Sequence, residues 1–458
     1  MDSGWILKET AFAADRLHHR ETVFTIGNGY LSTRGSFEEG YPAAWQATLV
    51  HGVYDDAPIV HTELANCFDW LPLMIQIDGE LLRLDRGELL AFERELDLRR
   101  GTLARQVEWR SRQGYTISVR FERFASLDDP HVLALRCQLH PLDFSGEVKI
   151  LAGLNGYPDN QGLLHWEWLG QSFEGAGHHY TATDATSDGP GMGQIWLHSR
   201  TRHSQIELAM AARLSVGGID DTLVRIGESP GYPQLVTSLW IDQGQELTVE
   251  KTVTVFTSRD EEEPLLAALR TLAAAAPYES LLQAHERAWS RTWDSSDVII
   301  DGDPVAQLAV RYNLFQILIA APRCDDRVSI PAKTLSGFGY RGHVFWDTEL
   351  FVLPFLAWTQ PGLARNLLSY RYHTLDGARC KAREAGYKGA MFAWESADSG
   401  DEVTPRWVPG PDGQELVRIW CGDIELHISA DVAFAVWQYW RITGDDEWMQ
   451  RYGAEIFL

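Results

Sequence analysis

Several chemistries are ruled out by what this sequence does not contain. Its five cysteines (Cys67, Cys137, Cys324, Cys380 and Cys421) are odd in number and scattered, and no CxxC pair occurs. Neither a zinc site nor a disulfide framework is therefore supported. There is no HExxH, no Walker loop, no GxGxxG following a strand and no GxSxG elbow, so zinc-peptidase, P-loop, dinucleotide and serine-hydrolase chemistries have no anchor. No metal or organic cofactor is expected. Positive charge is scarce as well: 40 Lys plus Arg face 64 Asp plus Glu, for a net charge of −24. Without a basic run, such a surface repels phosphate backbones, and nucleic acid is not an expected partner. The substrate should be neutral, or be handled by a small recessed cationic site. The opening MDSGWILKETAF has no basic segment leading into an apolar one, and no apolar run reaches membrane-spanning length. The chain thus reads as soluble and cytoplasmic, with no membrane partner.

What the sequence does carry is bulk and tryptophan. Its 458 residues, 45% hydrophobic and 23% charged, suit a globular chain of about three domains of roughly 100–200 residues. Trp, normally the rarer residue, equals Phe at 18 each. Indole faces stack on the C–H faces of sugars, which leans toward carbohydrate; filling of a core is the alternative for most of them.

Up to about residue 258 the apolar pattern has period two. Ile117, Val119 and Phe121 alternate with polar residues, as do Leu133, Leu135, Cys137 and Leu139, then Val148 and Ile150, and later Leu247, Val249, Val253 and Val255. Punctuated by Asp128-Asp129-Pro130, Ser145-Gly146 and Asp242-Gln243-Gly244, these runs predict a large antiparallel β-sandwich over 1–258. The period then becomes helical. Pro264 with Leu265, Leu266, Leu269 and Leu272, and a second helix from about Glu279 to Trp293, predict a helical linker over 259–302. Asp303-Pro304 is a good N-cap and first-turn pair for a helix with Leu308, Tyr312, Phe315 and Ile319 on one face. Further helices are expected over 346–358, 361–372, 374–385, 428–442 and 445–458. The last ends in Gly453-Ala-Glu-Ile-Phe-Leu458 without a glycine cap or a closing cation. That ending reads as a truncated or partial chain.

Three segments concentrate aromatic and acidic residues. In Arg341-Gly-His-Val-Phe-Trp346-Asp347-Thr-Glu349, the Asp347 carboxylate could take hydrogen bonds from adjacent sugar hydroxyls beside the flat face of Trp346, or could simply cap a helix. Phe392-Ala-Trp394-Glu395-Ser-Ala-Asp398-Ser-Gly-Asp401-Glu402 could be a solvated charge run. Yet tryptophan is costly to expose, so Trp394 and Glu395 suggest a pocket wall. Asp423-Ile-Glu425-Leu-His427-Ile-Ser429 precedes a helix; Ser429 could cap it, and His427 could be structural. Gly27-Asn-Gly29-Tyr30 with Arg34-Gly35 reads as a turn in a β domain, not a phosphate cradle.

In order along the chain, Thr25-Ile-Gly-Asn-Gly-Tyr-Leu-Ser-Thr-Arg-Gly35, Gly342-His-Val-Phe-Trp-Asp-Thr-Glu349, Trp394-Glu-Ser-Ala-Asp398 and His427-Ile-Ser-Ala-Asp431 resemble glycoside hydrolase family 65. The likeness runs from about residue 8 to 458. That family includes maltose, trehalose, kojibiose and nigerose phosphorylases and some α-glucoside hydrolases. The resemblance implies an N-terminal β-sandwich, a helical linker and an (α/α)6-barrel, followed by a small C-terminal β domain. With about half a barrel's helices read here, 303–458 would be the first part of an incomplete barrel.

The resemblance also implies an inverting reaction, in which one glutamic acid protonates the glycosidic oxygen and phosphate attacks the opposite face. Inorganic phosphate would be a co-substrate, an α-glucoside disaccharide the partner substrate, and β-glucose 1-phosphate a product. Trp346 and Asp347 would contact the glucose on the non-reducing side of the cleaved bond. Trp394 and Glu395 would line the neighbouring site for the leaving sugar, with Glu425 and His427 nearby. The acid's Gly-Pro-Asp-Glu-Tyr-like context has only Gly410-Pro411-Asp412-Gly413 to match it here, so no residue is assigned as the acid, which would lie outside this chain. Phe338 stands where several members carry an acid, which bears on linkage specificity. A homodimer is the assembly to test. The alternatives are an inverting α-glucoside hydrolase on the same scaffold and a non-catalytic sugar-binding fragment.

Overall fold

The computed structural model describes residues 4–56, 62–172, 192–217, 224–227, 229–410, 412–413 and 415–457. The period-two segments form antiparallel strands, with Ile117, Val119 and Phe121 on Thr116–Ala125 paired to Val132–Pro141. These strands belong to a nine-stranded sheet. In spatial order it runs Ile6–Glu9, Glu88–Asp97, Thr102–Arg110, Thr116–Ala125, Val132–Pro141, Leu247–Thr257, Glu207–Gly217, Met192–Thr201 and Trp166–Gln171. A five-stranded sheet contains Leu73–Ile77, Gly146–Gly153 and Gln234–Ile241. Ile75, Ile150 and Leu239 from the smaller sheet share one buried core with Val119, Leu135 and Val253 from the larger. Two sheets, each apolar on one face, have hidden those faces against each other.

A four-stranded sheet (Ile26–Gly27, Leu31–Thr33, Thr48–Asp56 and Thr62–Asn66) follows helix α1 (Leu17–Val23). It turns the Gly27–Gly35 segment toward the helical part of the chain. The Gly29 N–H donates to the Ile319 carbonyl at 2.8 Å. With φ at +82° and the Ala321 carbonyl oxygen 2.4 Å from where a Cβ would sit, this position admits only glycine. Arg34 donates to the Ser336 carbonyl at 2.6 Å. The turn expected from the sequence is therefore also a clamp between β and helical regions.

Helices α2 (Pro264–Ala274) and α3 (Tyr278–Ser296) follow the last strand of the large sheet. Leu265, Ala268 and Leu272 of α2 cover Ala209, Ala211 and Phe256 on that sheet's outer face. Tyr278 and Leu282 of α3 pack on Phe124 and Ala134, after which Trp289 and Trp293 enter the helical core. Helix α4 (Pro304–Ala320) starts as its sequence dictates: the Asp303 carboxylate accepts the N–H groups of Val305 and Ala306, both at 3.0 Å. Then come α5 (Leu353–Thr359), α6 (Pro361–His373), α7 (Leu375–Glu384), α8 (Cys421–Ile424) and α9 (His427–Thr443).

Three sequence expectations need correction. The helix expected over 346–358 opens with a π-turn, Thr348–Val352, in which the Leu353 N–H reaches the Thr348 carbonyl. Pro354 has no N–H to continue the normal ladder, so the pattern shifts by one residue. The helix expected over 445–458 is broken into Asp446–Trp448, a π-turn at Met449–Gly453 and Ala454–Phe457. Its break falls where Gly453, a poor helix former, packs tightly against Met449 and Trp448; Leu458 lies outside the described residues. Ser429 does not cap α9. That helix already begins at His427, and the Ser429 hydroxyl accepts the Phe392 N–H at 3.1 Å.

Tryptophan serves in both ways the sequence allows. Trp70, Trp109, Trp166 and Trp289 are fully buried, whereas Trp358, Trp407, Trp420 and Trp437 are exposed. Among the described residues, no helix is long and apolar enough to cross a membrane, and no group of three or more His, Cys, Asp or Glu side chains could hold a metal ion.

Candidate functional site

The first two aromatic–acidic segments lie side by side. Val344 and Ser396 exchange two backbone hydrogen bonds, at 2.8 and 3.0 Å. Beneath them, the Tyr370 hydroxyl on α6 donates to the Ala397 carbonyl at 2.5 Å. Glu402, at the end of the acidic run, accepts the N–H groups of Trp394 at 2.9 Å and Glu395 at 3.2 Å and pairs with Lys381. That carboxylate is not part of a solvated charge run: it shapes the loop that presents Trp394 and Glu395.

His427, at the start of α9, adds the third segment. Its ring stands edge-on to Trp346, with centroids 4.9 Å apart, and to Trp394 at 6.0 Å, the geometry aromatic quadrupoles favour. Glu425 places a carboxylate oxygen 3.3 Å from His427 Nδ1. Trp346 is half-buried and Asp347 exposed. The Asp347 side chain does not cap the following turn, and among the described residues its carboxylate has no hydrogen-bond or ion-pair partner. Asp431 joins this group, although its residue type and position alone did not single it out. Its Oδ2 is buried without a hydrogen-bond partner, 3.9 Å from His427 Nε2. Burial holds its carboxyl above the usual range, opposed by His427 and reinforced by Glu349. The signal available in the sequence was its spacing of four from His427 on a helix.

Trp394 and Glu395 face a cleft of about 490 Å³. Phe338, Tyr340, Arg341 and Phe345 line it from the helical region, and Glu63, Asn160 and Gln161 from the β region. Trp346, Asp347, Glu425 and His427 are not among its lining residues and adjoin it through the Trp394–His427 contact. Glu395 Oε2 lies 2.7 Å from Nδ1 of the buried His343, whose Nε2 donates to the Thr62 carbonyl at 2.6 Å. One imidazole thereby ties the acidic loop to the β region, a role the sequence reading did not assign to it. Tyr340, Arg341 and Gly342 are three consecutive left-handed residues, with φ of 53°, 54° and 74°. Such backbone costs on the order of 1–3 kcal/mol per non-glycine residue and persists only where its surroundings hold it. Here the Tyr54 hydroxyl helps by donating to the Gly342 carbonyl at 2.5 Å. Gly410, Asp412 and Gly413 lie in the turn between strands Trp407–Pro409 and Leu416–Arg418, and Pro411 lies outside the described residues.

Comparison with known proteins gives consistent matches. Residues 7–292 match the profile described as glycosyl hydrolase family 65, N-terminal domain, and residues 311–458 that of the family 65 central catalytic domain. The chain is 39% identical to a kojibiose phosphorylase of Halothermothrix orenii, over 99% of this chain and 58% of that protein. It is 30% identical to an α,α-trehalose phosphorylase of Thermoanaerobacter brockii, over 99% of this chain and 59% of that protein. A solved chain from the human microbiome, provisionally described as a kojibiose phosphorylase, shares the fold. It superposes with a TM-score of 0.85 at 24% identity, over 99% of this chain and 58% of its own. The chain thus spans somewhat under three-fifths of the length of each of these three relatives.

Proposed function

The chain belongs to glycoside hydrolase family 65, and from that premise we propose that it serves the inverting phosphorolysis of an α-glucoside disaccharide to β-glucose 1-phosphate and a free sugar. The observation that carries this reading is the meeting of Trp346, Trp394 and His427 beside an exposed Asp347 carboxylate without a protein partner among the described residues. An indole face and an unengaged carboxylate are what a glucosyl unit needs: an apolar platform and an acceptor for vicinal hydroxyls. In this reading Trp346 and Asp347 hold the glucose on the non-reducing side of the cleaved bond. Trp394 and Glu395 line the cleft for the leaving sugar, with Glu425 and His427 at the junction.

Phosphate is the nucleophile, so no protein base is required; a protein acid must protonate the leaving oxygen. We assign that acid to no residue of this chain. The helical segment from 303 is proposed as the first part of an (α/α)6-barrel, after a β-sandwich over 1–258 and a linker over 259–302. The exposed apolar side chains of Phe351, Trp358, Phe434 and Trp437, together with the greater length of the relatives, support the reading of this segment as part of a larger barrel. Light scattering tests the proposed homodimer.

The reaction is tested by turnover of maltose, kojibiose, nigerose and trehalose by the complete protein, with and without inorganic phosphate. Phosphate-dependent release of β-glucose 1-phosphate is expected. Cleavage undiminished without phosphate would instead establish the hydrolase, and sugar binding without turnover a non-catalytic role.

A further inference from the structure

Glu63 belongs to the β region, yet its side chain lines the same cleft as Trp394 and Glu395. It is held there from behind. His165 places Nε2 2.8 Å from Glu63 Oε1 and Nδ1 2.9 Å from Asp55 Oδ2. With a carboxylate at each nitrogen, the ring must donate from both and therefore carries a positive charge. Burial opposes that charge, but the bonds to Asp55 and Glu63 outweigh it and raise the imidazole to about 9. Asp55 is fixed in turn by the backbone N–H groups of His203 and Ser204, at 2.9 and 2.8 Å.

Glu63 is also indexed to the opposite wall. The carbonyl of the preceding residue, Thr62, accepts from His343, whose other nitrogen faces Glu395. Two carboxylates, one from each region, are thus set across one cleft by two histidines. Arg341 lines it too, and its Nη1 is buried without a hydrogen-bond partner. A fixed carboxylate and an unpaired guanidinium nitrogen facing an aromatic wall offer an acceptor and a donor to a polyhydroxylated ring.

We infer that Glu63, from the β region, is a specificity-determining residue that accepts hydrogen bonds from hydroxyls of the leaving sugar, with His165 positioning it. This rests on the proposed phosphorolysis, and it adds that selectivity for the second sugar is written partly in the β region. Asp55 and His165 do not touch the sugar; they hold the carboxylate in place.

The test uses Glu63→Ala and Glu63→Gln in the complete protein, assayed in the synthetic direction with β-glucose 1-phosphate and a free sugar acceptor. KM for the acceptor should rise by roughly tenfold or more in the alanine variant, as loss of a charge-assisted hydrogen bond requires. KM for β-glucose 1-phosphate should stay within about twofold, because uniform loss of binding on one side of the bond leaves the other side alone. His165→Asn should raise the acceptor KM in the same direction. Acceptor KM unchanged in both Glu63 variants would overturn the assignment. Calorimetric titration with kojibiose, which must fill the cleft as well as the glucosyl site, separates this outcome from failure of the proposed reaction. If the complete wild-type protein binds kojibiose but does not turn over, weaker binding in both Glu63 variants sustains the role of Glu63, and equal binding removes it. Because Glu63→Gln keeps the side chain's shape, it still reports should the alanine variant fail to fold.

Discussion

Arg371 grips Glu349 through two parallel bonds, Nε to Oε1 at 2.6 Å and Nη2 to Oε2 at 2.9 Å, with each side chain only 1% exposed. The same guanidinium reaches the Phe345 carbonyl and the Ser396 hydroxyl, both at 3.3 Å. One buried cation on α6 therefore supports both loops that carry the Trp–acid pairs.

Removing it should be costly. Arg371→Ala leaves the Glu349 carboxylate buried and unpaired, which typically costs about 3–5 kcal/mol. Urea unfolding should show a loss of that order; a loss below about 1 kcal/mol would mean that the pair is dispensable.

A second prediction concerns the joint between the regions. Gly29→Ala must place a Cβ 2.4 Å from the Ala321 carbonyl oxygen at a φ of +82°. Destabilisation on the order of 2 kcal/mol or more is expected, read as a fall of several degrees in Tm. An unchanged Tm would show that the clamp is loose.

The buried Asp55–His165–Glu63 group predicts a pH dependence. His165 is raised from 6.5 to about 9, so its contribution is complete below its unfolded value and is lost as pH rises through about 9. Asp55 is lowered from 3.8 to about 2: burial works against its charge, but the bonds from His165, Ser204 and His203 prevail. Its contribution is complete above its unfolded value and is lost as pH falls through about 2. The stability gap between wild type and His165→Asn should therefore be widest near pH 5 to 6 and narrow by on the order of 2 kcal/mol toward pH 9.5. A gap constant over that range would contradict a cationic His165.

Trp394→Ala should change the choice of second sugar more than the overall rate. Trp394 faces the cleft, while Trp346 and Asp347 keep their own surroundings. Initial rates of the complete protein with a panel of acceptors should re-rank them; a uniform fall across the panel would place Trp394 outside the acceptor site.

The β region was legible because strand alternation is enforced by a sheet with one face buried: Ile117, Val119 and Phe121 could point only one way. Asp303 announced α4 because a carboxylate before proline has few other uses. The aromatic–acidic segments were legible as residues but not as a site. Their meeting at His427 depends on the Val344–Ser396 bridge and the support of α6, which join positions far apart in the chain. Long-range partners explain the remaining gaps. His343 resembles any loop histidine until Thr62 and Glu395 are seen at its two nitrogens. Glu63 lies in a strand whose sequence says nothing of the cleft it borders. The irregular helices at 348–352 and 449–453 turn on Pro354 and on the packing of Gly453, where a local feature overrides helical periodicity.

Whether the three segments form a glucosyl site is tested most directly at Asp347, since no protein group among the described residues competes for its carboxylate. The measurement is kcat/KM for phosphorolysis of the preferred disaccharide by the full-length enzyme carrying Asp347→Ala, beside the full-length wild type. Loss of charge-assisted hydrogen bonds to the sugar should lower it by about 1.5–3 kcal/mol in transition-state binding, roughly ten- to 150-fold, with Tm unchanged. An unaltered kcat/KM would contradict the site.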